Sequence, residues 1–155
     1  MSGTGKSTAL AALGQLGHRV VDTDSDEWSR WETGPGGEPE WLWREDRIAA
    51  LLAGHGDGHL FVAGCRSNQG RFHARFDAIV LLSAPAEVML ERIEQRTANP
   101  FGKSADERAR ILADLAAVEP LLRRAASAEI DTAAAPAADV ARRLEEIAAS
   151  PPQLP

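Results

Sequence analysis

The residues Ser2-Gly-Thr-Gly-Lys-Ser-Thr8, followed at once by an apolar helical stripe, constrain this chain more than any other stretch. Gly5, Lys6 and Ser7 fill the last three positions of the pattern G-x-x-x-x-G-K-[ST], and Met1 to Thr4 fill its variable ones. Such a loop turns successive backbone N–H groups inward to form a concave anion site. A helix starting near Lys6 adds its positive end to the same spot. Gly3 and Gly5 permit backbone angles that a side chain would block. The chemistry of the pattern assigns Lys6 to the β- and γ-phosphates of a nucleotide and the Ser7 hydroxyl to Mg²⁺. Gly3, Thr4, Gly5 and Thr8 complete the expected phosphate cradle. Ala9-Leu-Ala-Ala-Leu13 and Leu16 then supply an apolar helix face, Gly17 a stop, and His18-Arg-Val-Val-Asp22 a short buried strand. Loop, helix and strand in this order separate the motif from a chance Gly-Lys-Ser. The first glycine of the pattern would precede Met1, so a short apolar strand and a glycine are expected upstream.

Composition narrows the class. With 155 residues, a single domain over 1–149 with a frayed tail at 150–155 is expected. A net charge of −6 argues against a nucleic-acid surface as the main business of the chain. Cys65 is the sole cysteine, which excludes a disulfide framework and a cysteine zinc site. No run approaches the roughly 20 apolar residues of a membrane span, and the N-terminus does not read as a signal peptide. The expectation is a cytoplasmic protein, monomeric or weakly dimeric, with no membrane or nucleic-acid partner.

Beyond the first strand, apolar strands alternate with helical patterns. A Trp-bearing helix is expected from about Ser25 to Glu32, a loop over Thr33–Pro39, and a second helix from Glu40 to Ala53. His59–Ala63 and Asp77–Leu82 read as strands, with a polar stretch at 64–70 between them. Pro85 opens a helix that runs to about Arg96. Thr97–Ser104 is a loop, and Ala105–Ala125 a long helix bent or interrupted near Pro120. Glu129–Asp131 is a last strand, and Pro136–Ala149 the closing helix. This alternation predicts a parallel sheet covered by helices on both faces, with ligands beyond the carboxyl ends of the strands. There Asp22 and Asp24 stand two apart, so an extended backbone turns both carboxylates to one side. They can hold Mg²⁺ through water and orient a substrate hydroxyl, although Asp24 or Ser25 could instead cap the following helix.

Gly-x-Gly-Lys-Ser-Thr followed by Val-Asp-Thr-Asp resembles the shikimate kinase family and, more broadly, the small P-loop kinases that include nucleoside-monophosphate and gluconate kinases. Pro120-Leu-Leu-Arg-Arg124, Ile130-Asp-Thr132 and a Pro-headed last helix follow the same order. The resemblance implies an α/β fold, a P-loop NTPase three-layer α/β/α sandwich with a parallel sheet of five strands. The strand before the phosphate loop would be the central one. It also implies ATP and Mg²⁺ as cofactors, a substrate-binding segment near 25–55, and a lid near 97–105. Asp22 would assist Mg²⁺ through water, and Asp24 would bind the acceptor hydroxyl or act as base. Arg44 and Arg123 (or Arg124) would bind substrate. Arg92 and Arg96 would approach the nucleotide and the transferring phosphate. Each arginine could equally belong to a solvated helix face.

Departures from the family pattern are informative. The family carries three glycines after its third strand, whereas this chain has Ala63-Gly64-Cys65, which leaves only Gly64 as a backbone contact for substrate. Arg66-Ser-Asn-Gln-Gly-Arg71 follows, dense in hydrogen-bonding groups and able to read a different acceptor, or simply a polar helix start at Ser67. Asn99-Pro100 replaces the usual Arg-Pro of the lid, leaving Lys103 as the nearest cation. Trp28, Trp31, Trp41 and Trp43 crowd one segment and are read as helix-on-helix packing, with one or two rings open to the cleft. The expected activity is transfer of the ATP γ-phosphate to a small-molecule hydroxyl. A nucleoside or nucleotide kinase of the same fold is one alternative, and a non-catalytic ATP-binding regulatory module is another.

Overall fold

A computed structural model describes residues 2–34, 36–97 and 101–154. The chain divides into two compact units, one comprising Met1–Ala9 with Asp77–Pro155 and the other Leu10–Phe76. Helix α1 (Lys6–Gln15) begins in the first and continues into the second.

In the second unit, strand β1 (Arg19–Asp22) pairs in parallel with β4 (Leu60–Ala63), Val21 opposite Val62. The Thr23 N–H extends the ladder to the Ala63 carbonyl at 2.9 Å. Parallel pairing needs a long crossover, and here it contains an antiparallel hairpin and a helix. The hairpin joins β2 (Ser29–Thr33) to β3 (Pro39–Trp43), with Trp31 opposite Trp41, and α2 (Glu45–Ala53) follows.

That hairpin corrects the sequence reading. The helix expected over Ser25–Glu32 is a turn closed on the Ser25 carbonyl, followed by a strand; the helix expected from Glu40 starts only at Glu45. Asp24 and Ser25 therefore cap no helix. Tryptophan and threonine favour a pleated half-buried surface, and the glycines between Thr33 and Pro39 supply the turn. Pro39 sits at the first residue of its strand, where its missing N–H is tolerated. The Trp31 and Trp41 rings meet edge-on across the strands at 5.5 Å. Trp43, at the end of β3, is buried in a core with Ile48 and Phe72 against which Trp28 packs. The four indoles thus pack across a hairpin, with Trp31 largely exposed. A run of 3₁₀ turns, Ser67–Arg75, closes this unit and buries Phe72.

In the first unit, β5 (Val80–Ser83) pairs in parallel with β6 (Ala128–Asp131), Leu82 opposite Ile130. The crossover is made by α3 (Ala86–Gln95) and α4 (Ala105–Ala125). Pro85 precedes α3, as expected. Helix α4 is continuous through Pro120, where a bend or an interruption was expected. Ser104 caps α4 through the Glu107 N–H at 3.2 Å, and the Glu107 carboxylate accepts from the Ser104 N–H at 3.1 Å in return. The closing helix α5 (Ala137–Ala149) packs Val140 and Ile147 against Ile130 and Ala9. Ala84, Met89, Ile93 and Ile111 form a second buried cluster between α3 and α4. Among the described residues, no helix is long and apolar enough to cross a membrane.

On the surface of this unit, Arg123 donates to both Glu129 oxygens, at 2.8 and 2.9 Å, and to Glu119 at 2.7 Å. These bonds, Arg123 first and Ser83 second, pull the Glu129 pKa from 4.5 down to about 2. The pair's contribution to stability is therefore complete above about pH 4.5 and is lost as pH falls through about 2. Both side chains are well exposed, so the contribution is small at neutral pH. Arg123→Gln is expected to flatten the fall in melting temperature across that window, as followed by circular dichroism. An unchanged slope would remove the pair from the acid response.

Candidate functional site

The glycine-rich loop belongs to the first unit. Gly3 and Gly5 adopt φ of 80° and 87°, the left-handed region that glycine enters without steric cost. A Cβ on Gly3 would also stand 2.7 Å from the Met89 carbonyl, so glycine is required there twice over. The loop is braced through its carbonyls. Arg92 donates to Gly3 O at 3.3 Å, and the Thr132 hydroxyl lies 3.2 Å from Thr4 O and 3.1 Å from Ser83 O. Arg92 also reaches the Thr132 carbonyl at 2.5 Å and its hydroxyl at 2.9 Å. With Gly3 O and Thr4 O committed in this way, α1 starts at Lys6 and turns its positive end to the loop. Thr4 is buried, Lys6 half-buried, and Ser7 and Thr8 exposed. This arrangement offers oriented amides, a cation and a hydroxyl, the donor set for a polyphosphate with its metal.

Arg92 was expected at the nucleotide, yet here its guanidinium braces the loop from behind. Thr132, its partner, was not singled out as a site residue; no local pattern marks a threonine whose contacts are 128 and 49 residues away. At the end of α3, Arg96 donates to Phe101 O at 2.6 Å. Lys103 donates to the carbonyls of Arg96, at 2.9 Å, and Glu94, so it caps the end of α3. Asn99 and Pro100 of the expected lid lie outside the described residues. Arg123 belongs to the carboxylate pair described above.

In the second unit, Asp22 ends β1, and its Oδ1 accepts the Asp24 N–H at 3.1 Å. Burial alternates from Val21 to Asp24, with Val21 and Thr23 inward, so both carboxylates fall on the outer side as expected. Asp24 Oδ1 is held by Arg66 Nη2 at 2.5 Å. Thr23 donates to Ala63 O at 2.9 Å and accepts from the Trp43 indole N–H at 2.7 Å. A Cβ on Gly64 would lie 2.0 Å from the Thr23 hydroxyl and 3.1 Å from Trp43 Nε1. The room left at Gly64, read from sequence as a substrate approach, is filled from within the chain. Arg44 precedes α2, its Nη1 3.4 Å from Asp26 O, and its Nε is buried without a partner among the described residues. Glu45 accepts from Arg71 at 2.7 Å and from Asn68 at 3.2 Å; the Arg71 bond leads in lowering its pKa.

Comparison with known proteins bears on both units. The family described as an AAA domain matches residues 1–113. The shikimate kinase of Halorhodospira halophila (strain DSM 244 / SL1) is 31% identical over 156 residues, covering 93% of this chain and 87% of its own. The chain belongs to the family of small P-loop kinases that contains the shikimate kinases. Its fold matches solved structures of this kind. Shikimate kinase from Acinetobacter baumannii in complex with shikimate superposes with a TM-score of 0.63 at 20% identity, over 96% of this chain and 89% of that one. TT1252 from Thermus thermophilus gives 0.56 at 18% identity, over 98% and 94%. Both show the α/β P-loop fold with its parallel strands and helices.

Proposed function

We propose that this protein is an ATP-dependent kinase that transfers the γ-phosphate to a hydroxyl of a small metabolite. One observation carries the reading: a left-handed Gly3/Gly5 loop, braced through its carbonyls, delivers Lys6 and Ser7 to the start of a helix in a chain of this family. Lys6 would sit on the β- and γ-phosphates and neutralise the charge that develops in transfer. Gly3, Thr4, Gly5 and Thr8 would supply backbone and hydroxyl donors around the phosphates. The exposed Ser7 hydroxyl and the Asp22 carboxylate are oxygen donors of the kind Mg²⁺ prefers, Asp22 acting through water. When bound there, the metal would supply positive charge to offset that of the phosphates.

On this reading Asp24 orients the acceptor hydroxyl and accepts its proton, Arg44 binds the acceptor, and Arg92 keeps the loop in its phosphate-binding shape. Arg96, with Lys103 at the end of the same helix, would serve the lid. The acceptor is a small polar metabolite. Shikimate is the first candidate, because the curated relative is a shikimate kinase; Gly64 and Arg123 would be its further contacts in that case. Two features depart from that choice: the Trp43–Thr23 packing at Gly64 and the arginine at position 66.

A coupled ADP-release assay with ATP, Mg²⁺ and a panel of hydroxy acids, polyols, nucleosides and nucleoside monophosphates tests the proposal. Stimulation by one class over the basal rate is the expected result, and the class names the acceptor. Tight ATP binding with no stimulation by any member would overturn the kinase reading in favour of an ATP-regulated module.

A further inference from the structure

Behind the phosphate loop, groups from α3, β5 and the loop itself meet at one hydroxyl, that of Thr132. This residue directly follows β6 and is 3% exposed. Its Oγ1 accepts from Arg92 Nη1 at 2.9 Å and lies 3.2 Å from Thr4 O and 3.1 Å from Ser83 O. The hydroxyl has one proton for these two carbonyls. Ser83 O already accepts the Thr132 N–H at 2.8 Å, which leaves that proton to the buried Thr4 O. The same Arg92 Nη1 donates to Gly3 O at 3.3 Å. Two consecutive carbonyls, those of Gly3 and Thr4, therefore turn towards one guanidinium–hydroxyl pair.

That arrangement also directs the amides. A peptide unit is planar and those of the described residues are trans, so each N–H points opposite to its own C=O. Arg92, by holding Gly3 O, turns the Thr4 N–H away from itself. Thr132, by holding Thr4 O, turns the Gly5 N–H to the same side. Neighbouring N–H groups on one side make the concave unit that receives an anion. A Cβ on Gly5 would lie 3.9 Å from Thr132 Oγ1, so this backbone packs directly on the hydroxyl. The hydroxyl both accepts from a cation and donates to the loop, and each bond polarises the other.

We propose that Thr132 is a positioning residue of the phosphate site: its hydroxyl aims the Gly5 N–H at the nucleotide's phosphates, as Arg92 aims the Thr4 N–H. Affinity for a polyphosphate then depends on one hydroxyl that sits behind the loop. The inference rests on the nucleotide reading of the loop, but on neither phosphoryl transfer nor any acceptor.

Thr132→Val removes the hydroxyl and keeps the branched shape, whereas Thr132→Ser keeps the hydroxyl. The full chain, without acceptor, is titrated with ATP and Mg²⁺ and with inorganic tripolyphosphate by calorimetry, at a temperature where melting curves show each variant folded. Labelling threonine carbonyls with ¹³C and glycine with ¹⁵N isolates two amides, because Thr4-Gly5 and Thr33-Gly34 are the Thr-Gly pairs of the chain. Gly34, whose N–H donates to Glu38 O in the hairpin, is the internal reference. In the parent, both ligands are expected to bind and to shift the Gly5 amide saturably while Gly34 stays. Thr132→Val should weaken both ligands by about tenfold, the effect of losing roughly one hydrogen bond, and should diminish the Gly5 shift. Thr132→Ser should stay within about threefold of the parent. A purely structural role would lower the melting temperature of Thr132→Val without changing the affinity of the folded chain, and that result would overturn the proposal. Undiminished tripolyphosphate affinity beside weakened ATP, or a serine variant as weak as the valine one, would overturn it too. Thr132→Ala set against Thr132→Ser makes the same comparison where the valine variant does not fold. A parent that binds neither ligand would overturn the nucleotide reading and this inference together. Phosphate binding that obeys the hydroxyl, with no ADP release for any acceptor, would overturn the kinase reading alone.

Discussion

Lys6→Ala is expected to abolish acceptor-stimulated ADP release while leaving the fold in place. Lys6 is the first residue of α1 and is half-buried at the mouth of the glycine loop. The brace behind that loop is independent of it: Arg92 and Thr132 hold the carbonyls of Gly3 and Thr4. Alanine is the best helix former, so the substitution keeps α1 and removes only the ammonium and its stem. In phosphoryl transfer the protein contributes positioning and charge neutralisation, and loss of one preorganised donor to developing charge costs about 10²–10³ in rate. The expected loss in kcat/KM is therefore at least about a hundredfold, with a melting temperature close to that of the parent. Arg92→Gln offers a contrast. It leaves Lys6 in place but frees Gly3 O and Thr132 O, so it should weaken ATP binding and lower the melting temperature together. Activity within a few-fold of the parent for Lys6→Ala would sink the kinase proposal.

What could be read from the chain followed the reach of each signal. The loop, α1 and β1 are contiguous, and their glycines, apolar stripe and short valine run each carry a local physical cause. The strands at Val80–Ser83 and Ala128–Asp131 were legible for the same reason, as were the helices opened by Pro85 and Pro136. The Trp-rich segment misled because Trp28/Trp31 spacing fits a helical face, whereas the glycines between Thr33 and Pro39 and the aromatic cross-strand pair decide for a hairpin. At the candidate site, Asp22 and Asp24 were read onto one side from strand alternation, and the alternation of burial persists two residues past the end of β1. Arg66 lay in a stretch read as able to meet a different acceptor or as a polar helix start; its pairing with Asp24 spans 42 residues, and no periodicity encodes it. The same is true of Asn68 and Trp43. Polar side chains that join distant segments are specified by tertiary geometry, and a single sequence carries no trace of it.

Trp43→Ala is expected to be among the most destabilising substitutions in the second unit, and to act through a hydrogen-bonded core as well as a cavity. The indole is 4% exposed and packs against Phe72 with ring centroids 6.0 Å apart. Deleting a buried Trp ring costs about 3–5 kcal/mol, against a total stability of about 5–15 kcal/mol for a typical domain. At roughly 2–4 °C per kcal/mol for a chain of this size, the melting temperature should fall by roughly 6–20 °C. The ring also donates to Thr23, which is fully buried, and the Thr23 carbonyl accepts from the buried Ser29 hydroxyl at 2.7 Å. Trp43→Phe separates the two contributions. It keeps much of the packed area and removes the donor with one ring of the indole, while Thr23 still donates to Ala63 O. Its cost should be nearer 1 kcal/mol, the net value of one hydrogen bond, plus a smaller void. Urea unfolding followed by circular dichroism should rank the parent above Trp43→Phe and Trp43→Phe well above Trp43→Ala. Equal losses for the two variants would mean that the indole N–H, rather than the ring, holds this end of β1 and β4 together. A loss below about 1 kcal/mol for Trp43→Ala would contradict the burial assigned to the ring.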